Sequence, residues 1–225
     1  MKPNKFTQAY SNIYQSGGNV QEILNFVIES MQGHTHNLQF GTQEDSNEGF
    51  VLLMDALSKY GEVNDLFNIR YVSQYHCTFC DRISNNITEK CEIFISYDDK
   101  EVSLKEFLHI QTTRIPDYTC EGCKKMGGVI QTKRLCRISN TVVVLLKKYM
   151  HKEQISLPKT FDVRTYSGVN EYKLVATIEH YGTQNGGHYV AQGVRNGREY
   201  LFNDSSVHQN NLTITPNTYI VFYQT

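Results

Sequence analysis

Two pairs of cysteines and one histidine carry the chemistry that this sequence can do. Cys77-Thr78-Phe79-Cys80 and Cys120-Glu121-Gly122-Cys123 both have the CxxC spacing. Two thiolates so spaced reach one ion from a single tight turn, and two such turns complete a tetrahedral four-sulfur site. That donor set suits zinc. Four protein ligands close the site to substrate, so its role is structural. The 39 residues between the pairs exceed the span of a compact zinc finger. The two turns are therefore expected on separate hairpins tied together by the ion. A redox dithiol would need only one pair. Cys91 and Cys136 fall in β-rich stretches and read as small buried apolar residues.

His188 follows a glycine-rich stretch, residues 182–187, and opens a strand-like segment. The chain turns back at Asn196-Gly197 and reaches Phe202-Asn203-Asp204. A strand-borne histidine with an amide or carboxylate on the next strand is the base-plus-orienter pair of a nucleophilic hydrolase. The orienter fixes the ring tautomer so that Nε2 faces the nucleophile. Taken alone, the same residues describe a surface histidine, and the other seven histidines are read that way. His34 and His36 share a polar stretch, but no third metal ligand stands near them.

The elements that must hold these groups change character along the chain. Residues 20–31 (VQEILNFVIESM) place apolar side chains at i, i+3, i+4, i+7, i+8 and i+11, one wide helical stripe. A second helix is expected over residues 45–59, with Phe50, Leu53, Met54 and Leu57 on one face. From Tyr71 the period becomes two. Residues 91–97, 141–146, 173–179, 187–192, 199–203 and 218–223 read as strands, and Asn196-Gly197 is a hairpin turn. Helices first and strands after give an α+β class. The charge is 22 − 23 = −1 and the pI is about 6.7. That balance disfavours a protein that works by gripping a nucleic-acid backbone. The longest apolar runs, five residues long as at 142–146, are far short of a membrane span, and the first ten residues hold no signal-like apolar core. A zinc–thiolate protein of this kind is expected in the cytoplasm or nucleus.

Residues 172–223 resemble the histidine box of the ubiquitin-specific proteases, the papain-like cysteine deubiquitinases. The matching residues are Tyr172, Leu174, Ala176, His180, Gly182, Gly187-His188-Tyr189, Phe202-Asn203-Asp204, Val207, Tyr219 and Tyr223. Tyr200 stands near the place of the family's usual Trp. Residues 43–50 (QEDSNEGF) resemble the family's Gln-Gln-Asp-Ala-x-Glu-Phe-Leu box, with Gly49 in place of Phe. The double CxxC resembles its zinc-bearing fingers.

The resemblance implies one domain of the thumb–palm–fingers type, shortened at its front. Residues 1–70 would be a helical thumb remnant, 71–140 largely fingers, and 141–225 largely β palm. His188 would be the general base, Asn203 its orienter and Asp204 a supporting partner. Residues 181–187 would form a loop over the substrate channel. Asp45, Glu48 and Tyr189 would face the C-terminal tail of ubiquitin, the implied partner, with neither nucleic acid nor membrane involved. Asp45 and Glu48 also suit the positive end of a helix dipole without any ligand. The family's cysteine box lies upstream of the Gln-x-Asp box, yet residues 1–42 contain no cysteine, and the two cysteines outside the CxxC pairs, Cys91 and Cys136, fall in the implied fingers, far from His188 by the family's layout. The chain by itself is therefore expected to be inactive. Three readings follow: a thiol-dependent deubiquitinase whose nucleophile lies on another segment, a pseudoprotease acting as a ubiquitin-binding or adaptor module, and a zinc-stabilised scaffold without ubiquitin binding.

Overall fold

Helix α1 (Ser46–Ser58) starts where its own N-terminal groups find an acceptor. Asp45 Oδ1 accepts the backbone N–H groups of Asn47 at 2.8 Å and Glu48 at 3.0 Å, an N-cap, and the Gly49 N–H bonds Asp45 O at 2.9 Å. Met54 is buried, and Phe50 and Leu53 are half-buried. A β-carbon on Gly49 would meet nothing within 4 Å, so crowding does not demand glycine there.

The computed structural model describes residues 25, 44–58, 66–92, 95–97, 104, 108, 110–146, 156–165, 168–183 and 186–225. Of the helix expected over residues 20–31, only Asn25 is described, and it is helical; the polar stretch over residues 33–40 lies outside the described residues. The chain forms two units, residues 1–66 with 182–188, and residues 67–181 with 189–225. Helix α1 belongs to the first.

The second unit holds two sheets, apart from residues 182–183 and 186–188 at the ends of two strands, which belong to the first. In the four-stranded sheet the order is β2-β1-β5-β4, built from β1 (Ile69–Cys77), β2 (Ile83–Glu92), β4 (Ile110–Ile115) and β5 (Val129–Ile138). All its pairings are antiparallel. The larger sheet runs β11-β10-β9-β8-β12-β6-β3, and β7 (Thr160–Thr165) pairs with the first part of β8 (Gly168–Thr183). Its other members are β3 (Ile95–Tyr97), β6 (Thr141–Leu146), β9 (Gly186–Arg195), β10 (Arg198–Asn203), β11 (Ser206–Gln209) and β12 (Thr218–Gln224). The pairing of β3 with β6 is parallel. The single strand expected over residues 91–97 is not formed. Cys91 pairs with Arg70 in the four-stranded sheet, whereas Ile95 pairs with Val144 in the larger one. The stretch is apolar enough for two strands, and the chain changes sheets within it.

Period-two burial shows why these segments are strands. Along β1, Ile69, Tyr71, Ser73 and Cys77 point inward. Strand β6 is buried on both faces, as its unbroken TVVVLL run requires. The main core joins Ile69, Tyr71, Leu135 and Ile138 of the smaller sheet to Val142, Val144, Phe161, Tyr172, Val221 and Tyr223. Phe161 stacks on Tyr172 at 5.4 Å and meets the Tyr223 ring edge-on at 4.8 Å. The tyrosines keep their hydroxyls satisfied: Tyr172 donates to Ser139 O at 2.6 Å and Tyr223 to Pro158 O at 2.8 Å.

Burial pushes the Tyr172 hydroxyl up to about 12 and raises that of Tyr223 as well. Both folded values lie above the ordinary tyrosine value of about 10, so the unfolded chain releases these protons first. Stability is complete below that value. It is expected to fall as pH rises from about 10 to 12, by up to about 1.4 kcal/mol per pH unit for each tyrosine. Denaturant unfolding at a series of alkaline pH values measures this, and the Y172F/Y223F variant should show a flatter decline.

Candidate functional site

The first cysteine pair forms the turn between β1 and β2, and the second lies in the connection from β4 to β5. The two turns repeat one backbone design. Cys77 N–H bonds Arg82 O at 2.9 Å, and Cys120 N–H bonds Lys125 O at 2.9 Å. The residue after each second cysteine is left-handed, Asp81 with φ 54° and Lys124 with φ 60°. Asp tolerates that conformation, but Lys does so less readily, so Lys124 is held there by the turn. A bond from Thr78 N–H to Gly128 O at 2.7 Å ties the two turns together. Because β1 pairs with β5, the turns meet at one end of the sheet.

The four Sγ atoms lie within 4.8 Å of one another. Cys77 and Cys123 are 3.7 Å apart, as are Cys80 and Cys120. A tetrahedron with ~2.3 Å metal–sulfur bonds has edges of about 3.8 Å, so the cluster fits a four-coordinate metal. A disulfide would need ~2.05 Å. The Cys120 thiol is lowered to about 6 by the backbone N–H groups of Cys123 and Gly122, the latter 3.4 Å from its sulfur. The Arg82 backbone N–H pulls Cys80 down, but desolvation and the three neighbouring thiols outweigh it and push Cys80 up to about 11. Four crowded thiols cannot all ionise alone. A cation among them removes that repulsion and the protons together. Cys91 lies in β2. Cys136 stands at the β-bulge where β5 slips against β1, and it is half-buried rather than buried, because the extra residue leaves the ladder's alternation.

The histidine segment is built from hairpins. Strands β9 and β10 join through Asn196 and Gly197, both with positive φ, the two-residue turn that Asn-Gly favours. Strands β10 and β11 join through Asp204 and Ser205, closed by the Asn203–Ser206 pair. His188 is the third residue of β9, exposed, and belongs to the first unit. Gly182, in the same unit, has φ 146°, and a β-carbon on it would collide with the backbone of Gly186 and Gly187. Only glycine fits there. In the second unit, Asn203 ends β10 half-buried and Asp204 is exposed. Tyr189 stacks on His180 at 4.5 Å and lies 6.4 Å from the Tyr219 ring. Asp45 and Glu48 open α1, where Asp45 acts as its cap. The structure thus brings the four cysteines together and places the other candidate residues on separate elements.

Sequence reasoning missed a buried polar cluster around Glu179. Its carboxylate accepts hydrogen bonds from Tyr181 OH at 2.6 Å, Gln192 Nε2 at 2.7 Å and Thr215 Oγ1 at 2.9 Å. The alternation of β8 conceals it. A register shift at Val175 moves the inward positions from Tyr172 and Leu174 to Thr177 and Glu179.

Residues 1–223 match the family model described as ubiquitin carboxyl-terminal hydrolase. The chain belongs to this family, and its fold is of the ubiquitin-specific-protease type, α+β and papain-like. It is 25% identical over 222 residues to ubiquitin carboxyl-terminal hydrolase 36 of Drosophila ananassae, covering 82% of this chain and 20% of that protein. It is 26% identical over 251 residues to human ubiquitin carboxyl-terminal hydrolase 42, covering 96% of this chain and 19% of that protein. The chain thus spans about a fifth of these curated relatives. Among solved structures it is similar to the SAGA DUB module of Ubp8, Sgf11, Sus1 and Sgf73 bound to monoubiquitin. The TM-score is 0.69 at 21% identity, over 81% of this chain and 48% of that one, a likeness of fold. Among the described residues no helix is long and apolar enough to cross a membrane.

Proposed function

We propose that this chain is the ubiquitin-recognising, base-bearing part of a thiol-dependent deubiquitinase acting in the cytoplasm or nucleus. Residues 1–70, 71–140 and 141–225 serve as thumb, fingers and palm. His188 is the general base, Asn203 orients its ring and Asp204 supports that pair. Asp45, Glu48 and Tyr189 receive the ubiquitin tail, and zinc on Cys77, Cys80, Cys120 and Cys123 stiffens the fingers. The observation that carries this reading is the family match over residues 1–223, with the histidine-box residues falling on β9 and β10. Strand β9 begins at Gly186 and includes His188, and it runs antiparallel to β10, which ends at Asn203. A module that only bound would have less need of a base and its orienter. The solved relative carries monoubiquitin, which supports ubiquitin as the partner.

The nucleophile is the missing part. The first cysteine is Cys77, a member of the four-cysteine cluster, and the two cysteines outside that cluster, Cys91 and Cys136, lie on β2 and β5 in the proposed fingers, so the attacking thiol is expected from another segment. The same observation favours a second reading, a ubiquitin-binding module without chemistry. Calorimetric titration with ubiquitin should show saturable binding, while a ubiquitin–coumarin substrate should stay intact with this chain alone. Absence of binding would overturn both readings. Turnover would mean that a cysteine within the chain is the nucleophile.

A further inference from the structure

Glu179 is 2% exposed, yet its partners among the described residues are three donors and no cation. A buried carboxylate is tolerated only when its lone pairs are filled. Here the donors come from three segments. Tyr181 is the residue before Gly182, on the outgoing stem of the 182–187 stretch. Gln192 lies on β9, the returning stem. Thr215 lies in the turn before β12.

Each donor is itself fixed. Gln192 Oε1 accepts Thr213 N–H at 3.1 Å and its Nε2 also reaches Thr213 O at 3.2 Å, so the amide cannot flip. Thr215 Oγ1 accepts Asn217 N–H at 3.1 Å, which leaves its own hydrogen for Glu179. The 2.6 Å bond from Tyr181 has the length of a charge-assisted O–H···O⁻ contact. That bond raises the Tyr181 hydroxyl above its ordinary value, so it keeps its proton and donates. Asn217 O also accepts the His180 N–H at 2.8 Å, binding the same turn to the outgoing stem a second time.

We propose that Glu179 is a positioning residue: by holding Tyr181 and Gln192 together it fixes both stems of the segment that delivers His188 to β9. The consequence for His188 as a base rests on the function proposed above; the hold on the stems does not.

Three variants of the full chain test this by amide hydrogen exchange and by the NMR resonances of the His188 ring. E179L keeps the bulk but removes every acceptor. Exchange over residues 180–192 should rise about 10-fold or more while β1 and β5 keep their protection, and the His188 resonances should shift or broaden. E179Q retains one oxygen for Gln192 and Thr215, and its NH₂ can donate to the Tyr181 oxygen, so it should restore both readouts to near wild-type. Y181F removes a single bond and should raise exchange near residue 181 by about threefold; it decides the matter if E179L fails to fold. Unchanged exchange in Y181F and in a folded E179L would overturn the proposal, as would unchanged His188 resonances in E179L. An E179Q variant as loose as E179L would also overturn it, because charge rather than hydrogen bonding would then be the cause. If the stems loosen as expected but the wild-type chain binds no ubiquitin, the functional reading falls and the clamp stands.

Discussion

Cys120→Ser is expected to abolish metal binding and melt the far end of the four-stranded sheet. Zinc content measured by plasma mass spectrometry should be one per chain for the wild type and near zero for the variant. The expected effect is large because the local core is small. It consists of Cys77, Cys120 and Val129, with Tyr75, Tyr118 and Cys123 packed against it. Half of that cluster is ligand cysteine, and the rest is Val129 and one stacked tyrosine pair at 5.7 Å. Structural zinc contributes about 10–16 kcal/mol of apparent binding energy in isolated fingers, far more than such a cluster gains from burial. Loss should stay local. The other end of β1 and β5 is anchored in the main core through Ile69, Tyr71, Leu135 and Ile138. Hydrogen exchange should therefore rise over residues 75–84 and 114–130 while β6 and β12 remain protected. A wild-type chain purified with zinc but carrying none would refute the assignment.

His188→Ala should lower kcat/KM by about 10⁴-fold in a preparation that carries the nucleophile cysteine, equivalent to ~5.4 kcal/mol of transition-state stabilisation. Ubiquitin affinity should change little, because in the proposed role the ring acts on the thiol and not on the body of ubiquitin. Asn203→Ala should lose less, since the base remains but its tautomer is no longer fixed, and Asp204→Ala least. Steady-state kinetics with ubiquitin–coumarin, beside calorimetry, separates chemistry from binding. A loss smaller than tenfold for the histidine variant would remove it from the role of base.

Several parts of this arrangement are legible in the residues themselves. The TVVVLL run marks β6 with its observed bounds, because no polar residue interrupts it. Asn196-Gly197 marks the β9–β10 turn, because few other pairs tolerate positive φ at both positions. The cysteine spacing announces two knuckles, and β-pairing brings them together. Other parts depend on partners that spacing does not name. Strand β8 runs well beyond the expected residues 173–179, and its first part is held by β7, where Phe161 and Val163 are buried and Asp162 and Arg164 exposed. Residues 91–97 contribute to two sheets. Shifts of register at Cys136 and Val175 reverse the inward phase of β5 and β8, which is how Glu179 comes to be buried. Asp45 has a dual reading, and the structure establishes its local one, the cap of α1.

Strand β12 lies in the interior of the larger sheet, between β8 and β6, although it is formed by residues 218–224. During synthesis, β6 and its parallel neighbour β3 emerge more than seventy residues before the strand that joins them to β8. The apolar β6 must wait on the ribosome with one edge unpaired, the kind of surface that chaperones shield. The hairpins of the smaller sheet need no such delay, and can form as their residues leave the exit tunnel. Assembly of the larger sheet therefore waits until residues 218–224 have left the exit tunnel.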